Sequence, residues 1–103
     1  MRVYIAGPMT GIEDFNYPAF NAAASRLLAA GYEPLNPVDS EKHNDTDTHQ
    51  TWDWYLRHAI RMVTHADGLA MLPGWSKSKG ANLEHHVAMA LGLDIRDLDR
   101  WLS

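Results

Sequence analysis

The sequence predicts an α/β fold: a small doubly wound, mostly parallel sheet of about four strands flanked by helices. Three observations predict it. Short apolar runs at residues 2–6, 32–37 and 69–72 alternate with longer segments of helical periodicity, the order expected of a parallel sheet covered on both faces. Glycine-bearing loops follow the first and third runs, so both belong at the carboxyl edge of the sheet, where open α/β folds hold ligands. The chain has 103 residues, near the common size of one domain, so residues 1–103 are expected to form a single unit.

Arg2-Val3-Tyr4-Ile5-Ala6 reads as a buried first strand and runs into Gly7-Pro8-Met9-Thr10-Gly11, a tight loop. The loop's spacing is neither the dinucleotide fingerprint nor a phosphate-binding Gly-Lys-Ser/Thr loop, so by itself it is equally a plain turn. Asp14-Phe15-Asn16-Tyr17-Pro18 leads into a helix with Asn16 or Tyr17 near its cap and Pro18 in its first turn. Phe20, Ala24, Leu27 and Leu28 form its apolar stripe, and Gly31 closes it. Residues 32–37 make a short edge strand containing two prolines, ending at Asn36.

Residues 38–50 are polar and aperiodic, with Asp39, Glu41, Asp45, Asp47, His43 and His49. A loop of that length is expected to be a lid or a disordered surface segment. Its histidines and carboxylates lack a recognised ligand spacing, so no metal is expected. Residues 51–65 are helical, with Trp52, Leu56, Ala59, Ile60 and Val63 facing inward and Trp54 and Tyr55 beside them. Arg57, His58 and Arg61 form a small basic patch.

Ala66-Asp67-Gly68 turns into the third strand, residues 69–72. Then comes Leu72-Pro73-Gly74-Trp75-Ser76-Lys77-Ser78-Lys79-Gly80-Ala81-Asn82-Leu83-Glu84, a strand–loop–helix junction. Such a junction offers free backbone N–H groups and the positive end of a helix dipole to an anion. Ser78 is the predicted N-cap, Gly80 permits close approach to the backbone, and Glu84 lies one turn on, on the same face. A capped helix with a solvated Glu84 satisfies the same pattern. Leu83, Val87, Ala90 and Leu91 mark the helix's apolar side and Gly92 stops it. Leu93-Asp94-Ile95 is a short fourth strand, and residues 97–102 a last helical turn carrying Trp101.

Composition excludes several classes. A formal net charge of −4 argues against binding long nucleic acid through a basic surface but says nothing against a small nucleotide. The absence of cysteine excludes disulfides and thiolate metal sites. No signal peptide or membrane span is visible, so a soluble cytoplasmic protein is expected.

Tyr4-Ile5-Ala6-Gly7-Pro8-Met9-Thr10-Gly11, then Asp14-Phe15-Asn16, then Leu72-Pro73-Gly74-Trp75 with Ser78, Gly80-Ala81 and Glu84, together resemble a small phage and prophage family, the domain of unknown function DUF4406. The resemblance covers nearly the whole chain. It implies a compact version of the nucleoside 2-deoxyribosyltransferase fold. Members of the family include phage anti-Thoeris proteins, sponges that hold a cyclic ADP-ribose signal, whereas the larger enzymes of the fold break or transfer an N-glycosidic bond. By the same resemblance Glu84 matches the transferase nucleophile. Gly7, Pro8 and Gly11 match the loop around ribose or phosphate, Ser78 and Gly80 match the loop holding sugar hydroxyls or phosphate, and Asp67 matches a residue at the start of the third strand. Met9, Thr10, Asn16, Trp54, Pro73, Gly74, Trp75 and Ala81 complete the candidate ligand-binding set, with Trp54, Tyr55 or Trp75 offered as base-stacking faces.

One position departs from the resemblance. Where the enzymes carry an Asp eight residues before Asp67, this chain has Ala59. Glycosyl transfer generally needs two carboxyl groups in distinct roles, so the second is missing from its expected place. The expectation is therefore a binder that sequesters a nucleotide or cyclic ADP-ribose-type signal without turnover. The alternative is an N-ribosyl hydrolase or deoxyribosyltransferase using Glu84. No cofactor is expected; the partner is a small-molecule nucleotide or nucleoside, with no long nucleic acid and no membrane. The resemblance also implies a homodimer or homotetramer, with Val87, Ala88 and exposed tryptophans in the contact.

Overall fold

The computed structural model describes residues 1–38 and 52–103. The expected lid and its histidines and carboxylates, residues 39–50, lie outside them. Four strands, β1 (Arg2–Ala6), β2 (Glu33–Leu35), β3 (Gly68–Met71) and β4 (Asp94–Asp97), form one parallel sheet in the order β2-β1-β3-β4. The helices are α1 (Tyr17–Ala29), α2 (Trp52–His65), α3 (Lys79–Ala90) and the short α4 (Leu98–Leu102), with 3₁₀ turns at Glu13–Asn16 and Trp75–Lys77.

The sheet is covered on both faces, as its runs of apolar residues require. Val3 and Ile5 pack with Phe20, Ala23 and Leu27 of α1 and with Leu98 and Trp101 of α4. Tyr4 and Ala6, pointing the other way from the same strand, pack with Val63 of α2 and Ala88 of α3. From β1 the chain moves outward to β2, and from β2 it crosses back to β3. The strand order therefore reverses between β1 and β3. Right-handed crossovers then put α1 on one face and α2 and α3 on the other. At the reversal the segments leaving β1 and β3 part to opposite faces, opening a crevice at their carboxyl ends.

The predicted stripe of α1 faces inward at Phe20 and Leu27, with Ala24 half-buried, while Leu28 is 65% exposed and Ala23 is buried in its place. In α3 the inward stripe is Ala81, Glu84 and Ala88, while Leu83 and Val87 are half-buried and Leu91 is exposed. Small residues bring α3 close to the sheet, and close approach outweighs the area a leucine would bury. Ala88 is therefore core and not a contact residue. Trp101 is also buried, its indole N–H donating to the Leu69 carbonyl at 2.7 Å. Among the described residues, no helix is long and apolar enough to cross a membrane.

Candidate functional site: a cleft at the strand-order reversal

The two loops that part at the reversal enclose a cleft of about 780 Å³, within the size range of small-molecule sites. From the β1 loop it is lined by Pro8, Met9, Thr10 and Ile12. From the β3–α3 junction it is lined by Pro73, Gly74, Lys77, Ser78, Lys79 and Gly80. One wall is largely apolar and the other is cationic and rich in backbone donors.

Each wall is shaped by local chemistry. Gly7 is buried where β1 and β3 leave the sheet. A Cβ there would lie 2.8 Å from the Leu72 Cβ, so only glycine lets the two segments run that close. Gly74 sits at φ +83 and starts the 3₁₀ turn that carries Lys77 toward the cleft. Ser78 caps α3, its hydroxyl accepting the Ala81 N–H at 3.2 Å. The first N–H groups of a helix have no intrahelical acceptor. With Ala81 satisfied by Ser78, those of Lys79 and Gly80 remain for an anion, beside two lysine side chains and the positive end of the helix dipole.

The β1 loop is braced from behind by strain. Asp14, Phe15 and Asn16 have φ of +53, +52 and +63, three consecutive left-handed residues, none a glycine. Asparagine and aspartate tolerate this region better than a bulky residue does, and the left-handed helical conformation costs roughly 1–2 kcal/mol per residue. The Tyr17 N–H donates to the Asp14 carbonyl within the turn, and two further bonds hold it to the loop. The Phe15 N–H donates to the Ile12 carbonyl at 2.9 Å, and the Asn16 side-chain amide donates to the Pro8 carbonyl at 3.0 Å. Asn16 is the N-cap residue of α1, as expected, and its side chain fixes the loop that lines the cleft.

Glu84 lies one helical turn, about 6 Å, beyond Gly80 on the inward face of α3. It is not in bulk water: the residue is 7% exposed, and the Tyr4 hydroxyl donates to its Oε2. Among the described residues no protein donor reaches its Oε1. Burial raises the carboxyl pKa from 4.5 to about 7, and the Tyr4 hydrogen bond pulls it partly back. Burial and the adjacent carboxylate also push the Tyr4 hydroxyl well above its ordinary value, so it remains a donor. Tyr4 escaped the sequence reading because it sits in an apolar run and its partner is 80 residues away. Lys77 and Lys79, on either side of Ser78, were given no role in the sequence reading.

Other predicted residues are placed elsewhere. Asp67 precedes β3 and so lies at the amino edge of the sheet, opposite the cleft. Its carboxylate accepts the Arg2 N–H at 2.8 Å, and its own N–H donates to the Arg2 carbonyl, which makes it a clasp between strands. Trp54 packs edge-on to Tyr55 and against His58, with ring centroids 5.1 and 4.1 Å away. Trp75 stacks on His85 at 4.7 Å and 11°. Neither tryptophan lines the cleft. Ala81 is buried under it, and Gly11 is exposed beyond it. Ala59 is a half-buried member of the α2 core face. Among the described residues no cluster of His, Asp and Glu is placed to hold a metal ion.

A four-stranded parallel sheet with this order, and a cleft at its reversal, defines a small α/β domain of deoxyribosyltransferase-like fold. Among solved structures, the chain is similar to a 2-desoxiribosyltransferase from Leishmania mexicana, with a TM-score of 0.68 and 23% sequence identity over 93% of this chain and 62% of that one. The likeness is one of fold, and this chain spans less than two thirds of that protein's length. No curated protein matches. The model of the domain of unknown function DUF4406 matches residues 1–97, and the chain belongs to that family.

Proposed function

We propose that the cleft binds a nucleoside phosphate of the ADP-ribose class and holds it without turnover, so that the protein sequesters a cyclic ADP-ribose-type signal. The polarity of the cleft carries this reading. Pro8, Met9 and Ile12 offer an apolar wall to a flat base, while Lys77, Lys79, Ser78 and the α3 N-terminus face it with donors for phosphate. Glu84, one turn further along α3, would hydrogen-bond ribose hydroxyls, as acceptor or, when protonated, as donor. Ala59, apolar where the fold's enzymes are expected to carry a second carboxylate, supports holding over cutting. Calorimetry with cyclic ADP-ribose isomers, ADP-ribose and AMP tests the binding. Chromatography of the ligand after denaturing the complex tests its fate. Failure to bind any ribosyl phosphate removes the proposal.

A second reading rests on Glu84 itself. A buried carboxylate with a raised pKa, oriented by a tyrosine, is characteristic of functional carboxyl groups. It supports an N-ribosyl hydrolase or deoxyribosyltransferase in which Glu84 attacks the anomeric carbon. Free base released from nucleosides or nucleotides, and lost in Glu84→Gln, is the expected signature; ligand recovered intact after long incubation with excess protein refutes it. For assembly we propose a homodimer or homotetramer, supported by Met89 and Leu91 on α3, 62% and 51% exposed. A monomer in light scattering overturns that proposal.

A further inference from the structure

We infer that Asn82 is a positioning residue of the cleft: its side-chain amide joins the carbonyls on either side of Lys77 and holds that lysine in the cleft wall for a bound phosphate. This rests on the nucleoside-phosphate reading of the cleft. Lys77 lines the cleft from a short 3₁₀ turn, Trp75–Lys77, entered through Gly74 at φ +83. The backbone holds the turn with the Lys77 N–H donating to the Gly74 carbonyl at 3.1 Å and the Ser78 N–H donating to the Trp75 carbonyl at 2.9 Å. Bonds of the 3₁₀ type are poorly aligned, and runs of them are short. Ser76 and Lys77 are exposed, so burial of their side chains adds little to the hold on the turn. A lysine on so short a turn is a loosely placed charge unless something outside the turn fixes its backbone.

Two residues of α3 supply that hold. The Asn82 side-chain amide donates to the Ser76 carbonyl and to the Ser78 carbonyl, each at 2.8 Å. An amide nitrogen carries two N–H groups, so both are spent on the residues flanking Lys77. The Ser78 carbonyl also accepts the Asn82 backbone N–H at 3.0 Å, the ordinary bond of a helix, which an alanine in this place would keep. The Ser76 bond is of another kind, since it spans six residues and reaches outside the helix. His85 lies three residues on, over the same face of α3, and stacks on Trp75 with ring centroids 4.7 Å apart and planes 11° apart. The turn is thus held at its first residue by a ring and on both sides of its last by an amide. Among the described residues no carboxylate pairs with Lys77, so the charge carried there is free for a ligand. Asparagine is a poorer helix former than alanine, and Asn82 is exposed, so the helix itself gives no reason for this residue. Fixing the peptide units before the ligand arrives leaves only the lysine side chain to be ordered on binding, and such preorganisation appears as affinity.

The experiment is a double-mutant cycle read by calorimetry with AMP, on the wild type, Asn82→Ala, Lys77→Gln and the variant carrying both. Asn82→Ala is expected to weaken AMP about five- to tenfold, the scale of a lost hydrogen-bonded clamp, and to leave adenosine, which lacks the phosphate, within about twofold. In the Lys77→Gln background the same substitution is expected to change AMP by less than about twofold, because the residue it positions is gone and the two effects do not add. Alanine suits an exposed helix position, so Asn82→Ala should melt near the wild type, and a thermal melt alongside the titrations reads this. Unchanged AMP affinity in Asn82→Ala, or losses that add in the double variant, overturns the inference and leaves the cleft reading standing. So does an equal loss of AMP and adenosine, which would mark Asn82 as a brace of the fold. AMP affinity unchanged in Lys77→Gln also overturns it, since the clamp would then have no phosphate contact to position. If the wild type binds no ribosyl phosphate, the cleft reading falls and takes the inference with it.

Discussion

Replacing Glu84 by glutamine is expected to stabilise this protein above neutral pH. The carboxyl pKa is about 7 in the fold against 4.5 as the ordinary value, a difference worth about 3 kcal/mol at 1.36 kcal/mol per pH unit. Between those values the folded chain holds a proton that the unfolded chain has released. The stability associated with protonated Glu84 is therefore full below about pH 4.5 and is lost as pH rises through about 7. Glutamine keeps an acceptor for the Tyr4 hydroxyl, roughly keeps the volume, and carries no charge at any pH. The two proteins should be of similar stability near pH 4.5 and diverge by up to about 1.4 kcal/mol per pH unit toward pH 7. They should stay apart by roughly 2–3 kcal/mol at pH 8. Urea denaturation of both proteins at half-unit intervals from pH 4.5 to 8.5 measures the difference, and the histidine contributions common to both cancel in it. Parallel stability curves would refute the reasoning, because they would mean that Glu84 titrates alike in the folded and unfolded chains and is not held in a dry site.

Three further outcomes are expected. Gly80→Ala places a methyl where nothing lies within 4 Å; it should stabilise α3 by about 0.4–1 kcal/mol yet weaken AMP binding, so the melting temperature and the dissociation constant rise together, and unchanged binding would place the phosphate elsewhere. Gly7→Ala drives a Cβ to 2.8 Å from the Leu72 Cβ and should cost about 1–3 kcal/mol in urea denaturation, with no loss refuting the close approach of the two strand ends. Lys77→Gln with Lys79→Gln should weaken AMP and flatten the salt dependence of its binding while leaving stability near wild type, as calorimetry at two ionic strengths and a thermal melt will read.

The strands and the existence of each helix were legible because they rest on local patterns. Val3-Tyr4-Ile5-Ala6 and Leu69-Ala70-Met71-Leu72 are short apolar runs flanked by turn residues, and Ser78 stands in the N-cap position ahead of a periodic segment. The rotation of α3 was less legible. Periodicity weights leucines, but α3 faces the sheet with Ala81, Glu84 and Ala88 because small side chains allow close approach, a fact of tertiary packing. The Tyr4–Glu84 pair was hidden for the same reason, since no local signal couples residues so far apart. The left-handed turn was illegible in principle: Glu13-Asp14-Phe15-Asn16 contains no glycine to announce positive φ. Asp67 is different, because the sequence alone was sufficient to place it. A residue that immediately precedes a parallel strand belongs at the amino edge, away from a cleft built at the carboxyl edge.

Three features of this chain oppose stability, and their distribution is informative. A carboxylate replaces an apolar residue on the inward stripe of α3; three non-glycine residues stand in left-handed conformation before α1; and a glycine occupies the first turn of α3 where an alanine would fit. Each has an available substitution that removes the cost, so selection for folding alone would not retain them together. Unrelated defects would be scattered over the fold. These instead fall on two segments brought together by the reversal of strand order, the β1–α1 loop and α3: Gly80 lines the cleft, Glu84 lies one turn further along α3, and residues 14–16 follow Ile12 of the lining. The common location is the argument for function. It also distinguishes the cleft from the exposed leucines and methionines of α1 and α3, which cost the free chain little and carry no comparable signal.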